Sequence, residues 1–338
     1  SALRQRCRTL LQARDPDLGP LLDLLDEPLT GPEPPPPTPS PPPPTTAPLP
    51  GSPDELAAWM LSPTGLGTHF GPGFTPRREQ SEMTRLVAGA LLADQAALIE
   101  AGTGVGKTLA YLAPLVAAGA AGRRAVVATH TRALQSQILE QDLPRLAAVL
   151  GELRSALLMG RGNYLCLRQR RAYLTRPRED LADALRGAAF LLWLDDTRQG
   201  LREELAAHPL LAKDLGELFD TPEPCLPGAC YEGRECFVQQ ARRRAREADL
   251  VVVNHSLLVH DLLQNGAVIG DHDHLVVDEA HRLPAVVLDT LRIVCGPRRV
   301  EEIERRVGRI PRGDRLPERA VLAAGRLHAA GDSTAAAA

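Results

Sequence analysis

The chain has 338 residues, 44% of them hydrophobic and 24% charged, with a formal net charge of -3. That length exceeds a single compact core, and the near-balanced charge excludes a global basic field, leaving local arginine clusters as the only surface for nucleic acid. No apolar run reaches the ~20 residues of a membrane span, and the opening SALRQRCRTL lacks a signal-peptide core, so no membrane partner is expected and the compartment reads as a reducing cytoplasm.

Residues 1–30 are rich in Leu and Arg at helical spacing and read as the tail of an upstream region. The start at Ser1 and the end in GDSTAAAA read as the edges of a fragment. Residues 31–55 carry the tract GPEPPPPTPSPPPPTTAPLPGSP, which can neither continue a helix nor donate to a ladder and is therefore an extended linker. Downstream, AALIE (96–100) predicts a short strand and KTLAYLAPLVAAGA an apolar helix. RAVVATH (124–130) predicts the next strand, RALQSQILEQDL a helix, and DLVVVNH (249–255) and HLVVDEA (274–280) two further strands. Val-rich strands alternating with helices predict an α/β fold with a parallel sheet covered on both faces. Residues 159–236 break the alternation and read as an insertion.

EAGTGVGKT (100–108) follows a predicted strand and opens a helix, the context of a P-loop. Ala101, Gly102, Thr103, Gly104, Val105 and Gly106 form the loop, whose glycines let successive N–H groups turn toward phosphate. Ala101 stands where the strict pattern has a glycine. Lys107 is expected on the β- and γ-phosphates of ATP and the Thr108 hydroxyl on Mg²⁺. VVDEAH (276–281) supplies the acids: Asp278 to hold Mg²⁺, Glu279 to act as general base on the attacking water, and His281 to couple the γ-phosphate to neighbouring segments.

Of the six cysteines, Cys225, Cys230 and Cys236 follow C-x4-C-x5-C spacing, and Cys166 closes MGRGNYLC upstream. In a reducing compartment such a group binds metal rather than pairing as disulfides. Four thiolates suit a structural zinc or a [4Fe–4S] cubane, and spacing alone does not choose. Cys7 and Cys295 lie outside the set and read as incidental thiols. At the end of the predicted strand 124–130, in VVATHTRALQSQ (126–137), the hydroxyls of Thr129 and Thr131 and the amide of Gln135 are suited to phosphate and sugar contacts. Helix capping is the competing role for Thr131 and Asn254. Arg161 is placed to guide DNA or to hydrogen-bond cluster sulfur, and the runs RQRRAYLTRPR and ARRRAR offer a basic path with Tyr164, Tyr173 and Phe237 as stacking candidates.

P-loop, DEAH and parallel sheet together resemble superfamily 2 helicases. GFTPRREQSEM (73–83) is similar to that superfamily's adenine-reading motif, which implies Phe74 stacking on the base and Arg77 and Gln80 contacting it. With the cysteines between THTRALQSQ and DEAH, and with GRGNYLC, ADLVVVNHSLL and VVDEAH, the chain resembles the iron–sulfur helicases of the DinG and XPD group, in its bacterial DinG branch. The resemblance spans roughly residues 70–290 and implies the following organisation. A RecA-like motor domain occupies 56–158 and 237–288, a mostly helical iron–sulfur insertion 159–236, and the start of an arch-like helical insertion 289–338. It further implies that Cys166, Cys225, Cys230 and Cys236 hold a [4Fe–4S] cluster and that Asn254 contacts DNA. The implied activity is ATP-driven 5′→3′ unwinding on single-stranded DNA and forked duplex, in repair or replication. A second motor domain is needed for unwinding, so this stretch is expected to bind nucleotide and cluster without unwinding by itself. Some members of the branch are fused to an exonuclease, which a proline-rich tether would suit. A monomer is the expected state.

Overall fold

The computed structural model describes residues 52–62, 75, 77–150, 153–177, 180–206, 211, 216–219 and 235–292. Residues 1–51 and 293–338, with Phe74, Cys225 and Cys230, lie outside them, as do Cys7 and Cys295. The chain divides into two compact units, 1–221 with 225–286 and 222–224 with 287–338. Of the second, only 287–292 are described, and these end a helix.

Helix α1 (Pro53–Leu61) starts where the proline tract stops, because Ser52 accepts the Glu55 N–H at 3.2 Å and Pro53 needs no donor in the first turn. Helix α2 (Arg78–Leu92) buries Gln80, Thr84, Val87 and Ala88, a stripe at three- and four-residue spacing. It is tied to α1 by the Ser81 hydroxyl donating to Ala57 O at 2.7 Å. Helix α3 (Lys107–Ala120) covers the predicted apolar helix and buries Leu109 through Val116. Strand β1 (Ala125–Thr129) leads into helix α4 (Arg132–Gln137), a π-helical turn at Ile138–Asp142, and helix α5 (Leu143–Leu150). The short strand β2 (Ser155–Leu157) follows, too brief for its period to show in the sequence.

Residues 159–236, expected as an insertion, carry helices α6 (Leu167–Thr175), α7 (Leu181–Asp196), α8 (Arg202–Ala206) and α9 (Gly216–Phe219) among those described. These build a core of their own, in which Phe190 stacks on Trp193 at 5.7 Å and meets Tyr173 edge-on at 5.3 Å. Helix α10 (Phe237–Glu247) returns the chain to strand β3 (Leu250–Asn254) and helix α11 (His255–Leu263). Strand β4 (His274–Val277) and helix α12 (Leu283–Leu291) complete the described elements.

The four-stranded sheet has the order β2-β3-β1-β4, with every pairing parallel. Ala125, Val127, Leu250 and Val252 pack with α3 and α5 residues such as Leu112 and Leu146, whereas Val126, Ala128, Val251 and Val253 pack with Ala241, Ala245 and Leu258. Alternate residues thus enter opposite cores. That is why β1 and β3 are apolar throughout rather than alternating, and it bears out the α/β architecture expected from the sequence.

One predicted strand is not formed. Residues 95–100 have no regular structure, and Leu98 is 94% exposed. A strand needs a ladder partner as well as β-forming side chains. Between this segment and β4 runs a groove of about 650 Å³, lined by Leu98 and Ile99 on one side and by Leu275 and Val277 on the other. Among the described residues neither flank of the groove has a partner within it.

Candidate nucleotide site

The P-loop closes onto α3 through two left-handed glycines, Gly104 at φ 77° and Gly106 at φ 87°. A side chain at Gly106 would also collide with the Gln80 amide. Both positions need glycine for conformation, and Gly106 needs it for space as well. Gln80 donates to Gly106 O at 3.0 Å, and Arg77 donates to Gly104 O. The structure thus places the predicted adenine-reading residues Arg77 and Gln80 as braces on the loop's carbonyls. The braced loop leads directly into the N-terminus of a 14-residue helix whose dipole favours anions.

Lys107 lies 3.6 Å from Glu279 Oε1 and donates to Ala101 O at 3.3 Å, its side chain 29% exposed. His281 Nδ1 is 3.4 Å from the other oxygen of Glu279. Glu279 itself sits at φ 54°, a left-handed conformation that costs a non-glycine residue about 1 kcal/mol or more. The turn out of β4 thereby brings the Glu279 carboxylate back to Lys107.

Asp278 is the most tied residue of the site. Its N–H donates to Ala128 O at 2.9 Å, and its Oδ1 accepts the Glu279 N–H at 3.0 Å. Oδ2 accepts from the Tyr111 hydroxyl at 3.1 Å, and the backbone oxygen lies 2.8 Å from His255 Nε2. A carbonyl only accepts, so Nε2 carries the proton and the imidazole is the Nε2–H tautomer. Burial pushes the His255 pKa down, keeping the ring neutral. Burial, with the Asp278 charge second, pushes the Tyr111 phenol up, keeping it a donor. Neither Tyr111 nor His255 was singled out from sequence. The signals available were the tyrosine one turn beyond Thr108 and the histidine inside NHSLL.

The predicted Mg²⁺ ligands Thr108 and Asp278 are hard oxygen donors, and Asp278 is tied to the P-loop helix by the Tyr111 hydroxyl. That donor set suits a small divalent cation, and the lysine beside a left-handed glycine loop suits polyphosphate.

The residues predicted for DNA occupy two kinds of position. Thr129 and Gln135 are buried at 0% and 1% exposure, so their side chains cannot reach a phosphate at the surface. Thr131 caps α4 by accepting from Leu134 N, and Asn254 caps α11 by accepting from Leu257 N at 2.8 Å, the competing roles foreseen for both. Arg161 is half-buried in a 3-10 turn, Arg161–Asn163. The stacking candidates are committed to packing. Tyr164 is 2% exposed with its oxygen accepting Met159 N, Tyr173 packs on Phe190, and Phe237 fills the space left by Gly200. Cys166 and Cys236 are half-buried, each at the N-cap of a helix, α6 and α10.

Residues 81–170 match the DEAD/DEAH box helicase family model. The chain is 36% identical over 229 residues to the ATP-dependent DNA helicase YoaA of Escherichia coli, covering 64% of this chain and 34% of that protein. It is 38% identical over 232 residues to the ATP-dependent helicase DinG of Mycobacterium tuberculosis, covering 62% and 35%. To the ATP-dependent DNA helicase DinG of Salmonella choleraesuis it is 35% identical over 268 residues, covering 71% and 36%. The aligned regions thus span about a third of the length of these curated relatives. With the P-loop lysine 3.6 Å from the DEAH acid Glu279 beside a parallel sheet, the chain is similar over these regions to the DinG-like DEAD/DEAH box helicases.

Proposed function

We propose that the protein is an ATP-dependent DNA helicase, and that this chain carries the half of its motor that grips the nucleotide. The observation that supports it most directly is the approach of Lys107 to Glu279 at 3.6 Å, which joins P-loop and DEAH box in one site. Lys107 and the loop N–H groups bind the β- and γ-phosphates, and the end of α3 adds its positive dipole. Glu279 takes the proton of the attacking water, and His281 holds Glu279 from its other oxygen. Thr108 and Asp278 would hold Mg²⁺, which offsets the charge developing on the transferred phosphoryl group. Asp278 is hydrogen-bonded at its N–H, its carbonyl and both carboxylate oxygens, so it is oriented before nucleotide arrives.

DNA is the substrate indicated by the names of the relatives, and 5′→3′ travel follows from the resemblance alone. Thr131, Asn254 and Arg161 are the candidates for the strand's backbone, with Thr129 and Gln135 supporting them from beneath. Cys166, Cys225, Cys230 and Cys236 would hold a [4Fe–4S] cluster. What supports this is their spacing, and the N-cap positions of Cys166 and Cys236, where helix N–H groups favour thiolate. Its chemistry there would be structural, fixing the insertion against the motor domain. A forked duplex as preferred substrate, a fused exonuclease, a role in repair and a cytoplasmic monomer belong to the same proposal.

The test is ATP hydrolysis by the full-length protein with and without single-stranded DNA, together with its visible spectrum after anaerobic purification. DNA-stimulated hydrolysis with a broad band near ~400 nm supports the reading. Hydrolysis indifferent to DNA, from a colourless protein holding zinc, replaces it with a zinc-stabilised nucleotide switch.

A further inference from the structure

The groups assigned to phosphate and magnesium account for every residue of the P-loop and the DEAH box, yet a further polar side chain lies among them. Tyr111 follows Thr108 by one helical turn on α3, so the two side chains share a face. Its ring is 2% exposed, packed in the core with Leu112 and Leu115. Its hydroxyl is the polar exception in that surrounding, and its partner is Asp278 Oδ2 at 3.1 Å. A phenol has one proton, and a carboxylate can only accept. The Tyr111 proton therefore goes to Asp278. Asp278 is thus held at Oδ2 by Tyr111 while the Glu279 N–H holds Oδ1 at 3.0 Å.

We propose that Tyr111 is a positioning residue that sets the Asp278 carboxylate, so that the site takes nucleotide with Mg²⁺ rather than nucleotide alone. The proposal rests on the reading of this site as one for magnesium and ATP. Tyr111 touches neither phosphate nor water in this role. It ties the P-loop helix to the DEAH strand through a hydrogen bond that a ring of the same shape without the hydroxyl cannot make.

The experiment uses the full-length protein and a fluorescent ADP analogue, with binding measured in EDTA and then as Mg²⁺ is titrated in. Tyr111→Phe keeps the ring and its packing. The Mg²⁺ concentration at half-effect is expected to rise about tenfold, the usual consequence of removing a hydrogen bond behind a metal ligand. Binding in EDTA is expected to stay within about twofold, since uniform damage to the site would weaken both. In an Asp278→Asn background the same substitution should add nothing, because the partner that needs aligning has changed. An unaltered Mg²⁺ dependence in Tyr111→Phe overturns the proposal. So does an undiminished effect in the Asp278→Asn background, which would mark Tyr111 as packing alone and which also settles the matter if Tyr111→Phe is less stable. A wild-type protein that binds no nucleotide with or without Mg²⁺ overturns the nucleotide reading beneath it, a result separable from both.

Discussion

The two sides of the sheet make an instructive contrast. On one side β1 and β3 are paired, buried at nearly every position and packed from both faces. On the other, β4 has a neighbour on one side only, and residues 95–100 have none among those described. The sequences hardly differ: AVVAT and LVVVN against HLVV and AALIE. Side-chain pattern measures what a segment would gain by burial, but the ladder depends on a second backbone at the right distance. The chemistry of the site lies on the less complete side, since the P-loop leaves 95–100 and the DEAH acids leave β4.

That placement gives the largest expected effect. Lys107→Ala removes the cation common to the loop and Glu279, and ATP hydrolysis by the full-length protein should fall by about 10²-fold or more. Urea unfolding should scarcely change, because Lys107 is partly exposed and contributes little to the core. If hydrolysis survives Lys107→Ala, the site assignment fails, whatever happens to stability.

The opposite profile is expected on the paired side. Val127 is fully buried between Val252 and Val276 in register, facing the α3 core. Val127→Ala should cost about 2 kcal/mol in urea unfolding, from lost burial plus a small cavity. A cost below about 0.5 kcal/mol, the range of ordinary surface changes, would mean that β1 is not the centre of the sheet.

How much of this was legible beforehand follows the same division. Glycines, Lys107 and the DEAH acids are read from sequence because each residue type is demanded by local chemistry at a fixed spacing. β1, β3 and α3 are read because burial on both faces writes continuous apolar runs. Tyr111 and His255 were missed because their roles depend on partners distant in the chain, Asp278 above all. Thr129 and Gln135 were assigned to a surface they do not reach, since a polar side chain at a strand end looks the same whether it faces DNA or the interior. The strand at 96–100 was overread for want of its partner.

A smaller effect tests the seams between strands. Arg154 N–H donates to Asp249 Oδ2 at 3.0 Å where β2 meets β3, and Arg124 N–H donates to Asp273 Oδ2 at 2.8 Å where β1 meets β4. An aspartate before one parallel strand thus accepts the backbone of the residue before its neighbour. The Arg154 side chain also bonds Asp249 at 2.6 Å, and these bonds hold the Asp249 pKa below its ordinary value. A depressed carboxylate pKa contributes stability above the unfolded value of about 4 and loses it as pH falls through the folded value. Asp249→Asn should therefore lower stability modestly at pH 7 and match the wild type in strong acid. Arg154 is 73% exposed, so screening keeps the difference small. A gap that persisted unchanged into strong acid would assign the effect to the amide's geometry rather than to charge.

The smallest effect is expected at Leu98, and it bears most directly on the contrast. An apolar residue in a true central strand would cost about 2–5 kcal/mol on truncation, whereas one at 94% exposure should cost nothing measurable. Leu98→Ser in the 338-residue chain is expected to stay within about 0.5 kcal/mol of the parent in urea unfolding. The denaturant slope should also be unchanged, because no surface newly exposed on unfolding has been altered. A loss above about 1 kcal/mol would mean that Leu98 is covered in solution, with 95–100 paired to something across the groove. In that case the difference between the two sides would lie in their partners and not in their strands. A null result leaves the P-loop resting on an unladdered segment. The burden of placing it then falls on α3 and on the bonds from Arg77 and Gln80.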